Sequence, residues 1–262
     1  MTQIPVPPKP AARPDKVSLW RYLQLFRRDI LSAQPARLYG AWMAEFRTPF
    51  FRSYMCNDPE LVETVLQKRP RDFPKSNRIR EGLAPLLGNS VFITNGPVWE
   101  RQRRIIDPAF EGGRLRDTFP AMWDAGVACV ERLRARANGA PVEIEAETSH
   151  AAADVIFRTL FSIPIENAVA GAAFSQFRAH QKAQPIINLG AILPLPAWVP
   201  RFHSRKTRTT ARIIRTLITQ LTAERMAAIA AGTAPNDLAT KIMTTPDPET
   251  GACFDTAEMV DQ

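Results

Sequence analysis

Trp99 and Arg103 stand four residues apart in GPVWERQRRIIDPAF, residues 96–110. On a helix that spacing puts both side chains on one face, one turn apart. An indole N–H and a guanidinium fork on one face are donors aimed at one place, and such a pair suits an anion, above all a carboxylate. Arg101 and Arg104 leave the helix on other sides. Ile106 and Phe110 continue the Trp99 side and are expected to anchor it in a core. Pro97 falls in the first turn, where its missing N–H costs nothing. Pro108 removes a backbone bond and is expected to bend the helix near Arg104. Spacing alone leaves a second reading open, a core tryptophan with arginines reaching past it to water.

Other chemistry is sparse. His150, His180 and His203 are each isolated, on expected polar or helix-edge positions, which makes none of them a candidate metal ligand. Cys56, Cys129 and Cys253 leave an odd thiol and share no Cys-x-x-Cys spacing, so neither a disulfide framework nor a zinc site is indicated. Reduced thiols of a cytosolic protein are expected. No Ser/His/Asp arrangement, phosphate loop or paired-carboxylate constellation is legible.

The elements that must position Trp99 and Arg103 are mostly helices. Twenty-three prolines against twelve glycines, spread along the chain, punctuate it into helices with sharp corners. Residues 1–17 are proline-rich and polar and read as a flexible lead-in. SLWRYLQLFRRDILS, 18–32, is an amphipathic basic helix, expected to pack on the domain surface although its aromatic–basic mix also suits a membrane surface. PFFRSYMC, 49–56, is the best strand, followed by a short helix capped by Asp58 with Pro59 at its first position. Residues 70–95 read as a long irregular loop. Beyond the Trp99 helix, Leu115, Phe119, Met122, Gly126, Val130 and Leu133 mark the buried face of a long helix, and VEIEA (142–146) reads as a short strand. Further helices are expected at 148–162, 168–183, 203–231 and 236–243. Asp255 with Glu258 forms a capping box for a last helix.

The order LLGNSVFITNGPVWERQRRIIDPAF, 86–110, resembles the haem-binding entry region of the cytochrome P450 family of haem-thiolate monooxygenases. There an approach loop precedes a helix bearing Trp-x-x-x-Arg-Arg and then Pro-Ala-Phe. CNDPELVETVL resembles the family's strand-to-first-helix step, and NDLATKIMTTPDPETGACFDTAEMVDQ the segment leading into its long central helix. The resemblance implies a mainly α fold with a small β-sheet, the N-terminal part of the P450 fold, truncated at the start of that central helix. Residues 18–262 would be an incomplete domain. It implies that Trp99 and Arg103 bond a haem propionate, and that Phe92 is the aromatic that leans over haem and limits substrate access. The 74–95 loop and the 184–197 linker would touch an apolar small-molecule substrate. Arg101 and Arg104 would lie near the docking face of an acidic redox partner, a ferredoxin- or flavodoxin-like reductase system.

The family's cysteine ligand lies in a Phe-x-x-Gly-x-Arg-x-Cys-x-Gly loop. None of Cys56, Cys129 and Cys253 has those neighbours, and the family's oxygen-activating helix and Glu-x-x-Arg structural pair have no counterpart here. Haem is therefore expected only if a C-terminal half is supplied, and the chain by itself is expected to be inactive, with apolar faces left uncovered. The competing class is a basic helical binding module for nucleic acid or anionic membrane, suggested by a formal charge of +8 and by arginines at 101–104, 114–116, 132–136 and the stretch 201–215. Those runs sit on different helices without interleaved aromatics, so no nucleic acid is expected. A cytoplasmic chain is expected, with attachment to a membrane surface left open.

Overall fold

The computed structural model describes residues 11–29, 31–47, 52–183 and 203–262. They fall into two compact units, the first running to Pro74 and the second beginning at Lys75. The expectations for 184–197 and for 49–51 lie outside the described residues.

In the first unit, helix α1 (Leu19–Arg28) begins where the Ser18 hydroxyl accepts from Arg21 N–H at 3.2 Å. It stops four residues before the expected end. The Asp29 carboxylate accepts from the backbone N–H of Leu31 and Ser32 at 3.0 and 3.2 Å, a turn that competes with the helix. Strand β2 (Arg52–Cys56) pairs antiparallel with β1 (Met43–Arg47), Met43 facing Cys56 and Arg47 facing Arg52. Helix α2 (Pro59–Glu63) follows, with the Asp58 carboxylate on Glu60 and Leu61 N–H, as its sequence signals.

The second unit is helical. Helix α3 (Asn77–Leu87) lies inside the stretch expected to be loop. Ser76 caps it, and Arg-Glu-x-Leu-Ala-type helix formers outweigh the internal Pro85. Helix α4 (Gly96–Ile106) carries Trp99 and Arg103. Pro108 ends it rather than bending it: Asp107–Ala109 turns in a tighter 3-10 form. A four-residue α5 (Arg114–Asp117) leads into α6 (Phe119–Arg136) and α7 (Ile144–Phe161). VEIEA is no strand. Its Ile144 opens α7, with the Glu143 side chain accepting from Glu145 N–H. Helices α8 (Ala168–Ala183), α9 (Arg205–Ala230), α10 (Leu238–Thr244) and α11 (Thr256–Asp261) complete the unit. The capping box at α11 is present with both of its bonds, as expected.

One core joins these helices. Ile105 of α4, Phe157 and Phe161 of α7, Leu221 of α9, Ile242 and Met243 of α10 and Met259 of α11 are all buried in it. Each such side chain contributes about 1.5–3 kcal/mol through removal from water. Helix α6 corrects the expectation of its buried face. Ala125 is buried, while Phe119, Trp123, Val127 and Val130 form an exposed apolar stripe. On α6 the periodicity is shared by two apolar faces, so it does not say which one meets the core.

Candidate functional site

Helix α4 is fixed from its core side by Ile105, Gln102 and Ala109, all buried, whereas Phe110 is exposed. Ile106, partly buried, packs against that core as expected, and Phe110 does not. Gln102 serves as a polar strut: its Nε2 donates to Asn89 O, and its Oε1 accepts from the Thr94 hydroxyl, both at 2.5 Å. Gly96 opens the helix at φ +59°, a conformation that suits glycine.

Ion pairs hold the rest of the helix. Arg101 meets Glu258 of α11 at 2.5 Å, and Arg104 meets the fully buried carboxylate of Asp247 at 2.6 Å and Glu249 at 2.9 Å. The Arg104 bonds, together with bonds from the Thr250 hydroxyl and Glu249 N–H, hold the Asp247 carboxyl well below the usual carboxylate range against the opposing effect of desolvation. Arg101 and Arg104 are thus both paired with carboxylates of this chain.

That leaves the Trp99 face. The Arg103 guanidinium lies over the Trp99 ring, 5.8 Å from its centroid, with Nε 2.9 Å from Asp107. On the same ring, 5.0 Å from its centroid, sits the Lys75 ammonium. Sequence reasoning missed Lys75, which lies 24 positions from Trp99 with no periodic relation to it. Its placement comes from Asn95, the residue before α4: Asn95 Oδ1 accepts from Lys75 N–H at 2.9 Å and Asn95 Nδ2 donates to Lys75 O at 3.0 Å. Lys75 Nζ donates to Thr94 O at 2.9 Å. Burial, and then the Arg103 charge, push the Lys75 amine below its ordinary value. Two cations crowd one indole, and Arg103 is paired with Asp107. An added anion would offset the repulsion between them.

Phe92 lies on the turn before α4 and is 70% exposed. The histidines go elsewhere. His180, expected at a helix edge, is buried with Nδ1 2.9 Å from the Thr210 hydroxyl, and His150 packs edge-on to Phe174. Among the described residues no group of three His, Cys, Asp or Glu side chains is placed to hold a metal, and no helix is long and apolar enough to cross a membrane.

A mainly helical chain with a two-stranded sheet, whose Trp-x-x-x-Arg helix gathers Lys75, Trp99 and Arg103, defines the class. The family model for cytochrome P450 matches residues 33–260, and the chain belongs to that family. It is 29% identical over 248 residues to cyclooctat-9-en-7-ol 5-monooxygenase of Streptomyces melanosporofaciens, a match covering 92% of this chain and 50% of that protein. It is 30% identical over 192 residues to cytochrome P450 72A11 of Arabidopsis thaliana, covering 69% of this chain and 35% of that one. The crystal structure of the cytochrome P450DA heme domain shares the fold, with a TM-score of 0.66 at 18% identity, over 97% of this chain and 55% of that chain. The chain thus spans half or less of the length of these curated relatives. The competing class, a basic binding module, finds no support here: Arg101, Arg104, Arg132, Arg136 and Arg215 all face internal carboxylates.

Proposed function

We propose that this chain supplies the propionate-holding part of a haem monooxygenase acting on an apolar small molecule. The observation that carries the reading is the convergence of Lys75, Trp99 and Arg103 on one face of α4, two of them cations that an anion would relieve. Haem, when bound, supplies the iron at which dioxygen is activated. The residues here have simpler tasks. Lys75 and Arg103 would neutralise a propionate through charge-assisted bonds, and Trp99 would add its indole N–H. The ion pairs of Arg101 and Arg104 keep α4 from shifting, so these donors stay aimed at one point. Phe92 would narrow the approach to the apolar side. Electrons would come from an acidic ferredoxin- or flavodoxin-like partner.

The test is haem retention rather than turnover. In the haem-loaded protein containing this segment, Lys75→Gln and Arg103→Gln should each speed capture of haem by excess apomyoglobin by about tenfold, the worth of one charge-assisted bond. Capture at wild-type rates by both variants and by Trp99→Phe would overturn the assignment.

A further inference from the structure

Helix α9 carries Arg208, Arg212 and Arg215, spaced so that all three share one face. With Thr216, Thr219 and Pro85 of α3 they line a cleft of about 380 Å³, a volume in the range of small-molecule sites. Arg215 belongs to the framework: its Nη1 donates to Leu86 O at 3.1 Å and its Nη2 meets Asp261 of α11 at 2.6 Å. That bracing fixes the end of α3 against α9 and so fixes the cleft. Arg208 and Arg212 are exposed, and neither has a carboxylate partner among the described residues. They stand apart from the arginines of α4 and α6, which do have carboxylate partners.

The donors in the cleft are arginine donors. The hydroxyls of Thr216 and Thr219 are already spent on Arg212 O at 3.0 Å and Arg215 O at 2.7 Å. A ligand here must therefore be rich in acceptors and carry negative charge. Two guanidiniums without partners match a dianion better than a monoanion, and a guanidinium fork matches the oxygens of a phosphate. Pro85 offers an apolar wall to whatever the phosphate is attached to.

We propose that the α3–α9 cleft binds the phosphate group of a small, soluble organic phosphate. The proposal rests on no part of the haem reading, and either can fail alone. Phenyl phosphate, titrated calorimetrically into the protein in low salt, should bind saturably at one site, and benzoate should bind more weakly. R208Q/R212Q should weaken phenyl phosphate binding by about tenfold, the sum of two exposed charge contacts. R208K/R212K, which keeps the charge but loses the fork, should weaken it by about threefold. Arg134→Gln on α6 should leave it unchanged. Sedimentation with phosphatidylcholine vesicles, with and without phosphatidate, separates a lipid headgroup from a soluble ester. Absence of binding, binding equal to that of benzoate, binding untouched in R208Q/R212Q with helicity preserved, or binding confined to phosphatidate vesicles would each overturn the proposal.

Discussion

Substituting Gly88 by alanine tests how tightly α3, α9 and α11 are fitted together. Gly88 ends α3 at φ +52° and ψ −117°, a backbone conformation that L-residues avoid. Forcing alanine into it costs about 1–3 kcal/mol. The added Cβ would also sit 1.9 Å from Asp261 Oδ1 and 2.3 Å from Asp261 Cγ, well inside any tolerable contact. A loose carboxylate would swing away at little cost. This one is pinned, accepting from Asn89 N–H at 2.8 Å and meeting Arg215 Nη2 at 2.6 Å. Displacing it sacrifices two charge-assisted bonds, worth together about 1–2 kcal/mol after allowing for the partly exposed Arg215. Gly88→Ala should therefore cost about 3 kcal/mol in urea unfolding followed by circular dichroism at 222 nm. The two contributions separate in a double-mutant cycle. With Asp261→Ala already present the clash is gone, and Gly88→Ala should cost only its backbone share, about half the total. An equal cost in both backgrounds, or a cost near zero in the wild type, would refute the reasoning.

Asp247→Asn should lower stability at neutral pH and flatten the acid limb of the stability profile. The folded carboxyl titrates below its unfolded value, so its contribution is complete above about pH 4 and is lost as pH falls through the folded value; unfolding midpoints from pH 2 to 7 check this. Ile105→Ala empties a fully buried core position and should cost about 3 kcal/mol by denaturant titration, with α4 the first helix to lose amide-exchange protection. Lys75 should react with acetic anhydride faster at neutral pH than its burial alone would suggest, because more of it is unprotonated; Arg103→Gln should slow the reaction, though burial, the larger cause, persists. The exposed stripe Phe119–Trp123–Val127–Val130 should bind a hydrophobic dye such as ANS, and Trp123→Gln with Val127→Gln should abolish most of that fluorescence; unchanged dye binding in that variant would place the apolar surface elsewhere.

The site helix was legible because its signals are local. Trp99 and Arg103 are one turn apart, and Asp255 with Glu258 announces a cap within four residues. What stayed hidden depends on distance or on competition between local signals. Lys75 reaches the Trp99 ring only through Asn95, and nothing in either residue type states that pairing. Helix α3 hid behind Gly82 and Pro85, breakers that its Ser76 cap and tertiary contacts overrule. VEIEA alternates like a strand, yet the helix-forming run that follows absorbs its second half. Arg101 and Arg104 looked like surface cations because their partners, Glu258 and Asp247, lie more than a hundred residues away.

Those same two ion pairs set a schedule for the polypeptide during its synthesis. Arg101 and Arg104 find their carboxylates 157 and 143 positions further along the chain, so α4 emerges from the ribosome long before the residues that lock it. Closing loops of that length carries an entropic cost that grows only with the logarithm of their size, so the delay matters more than the energy. During translation, therefore, the helix bearing Trp99 and Arg103 waits with Arg101 and Arg104 unsatisfied, and its orientation becomes final only when the stretch from 247 to 258 has been made.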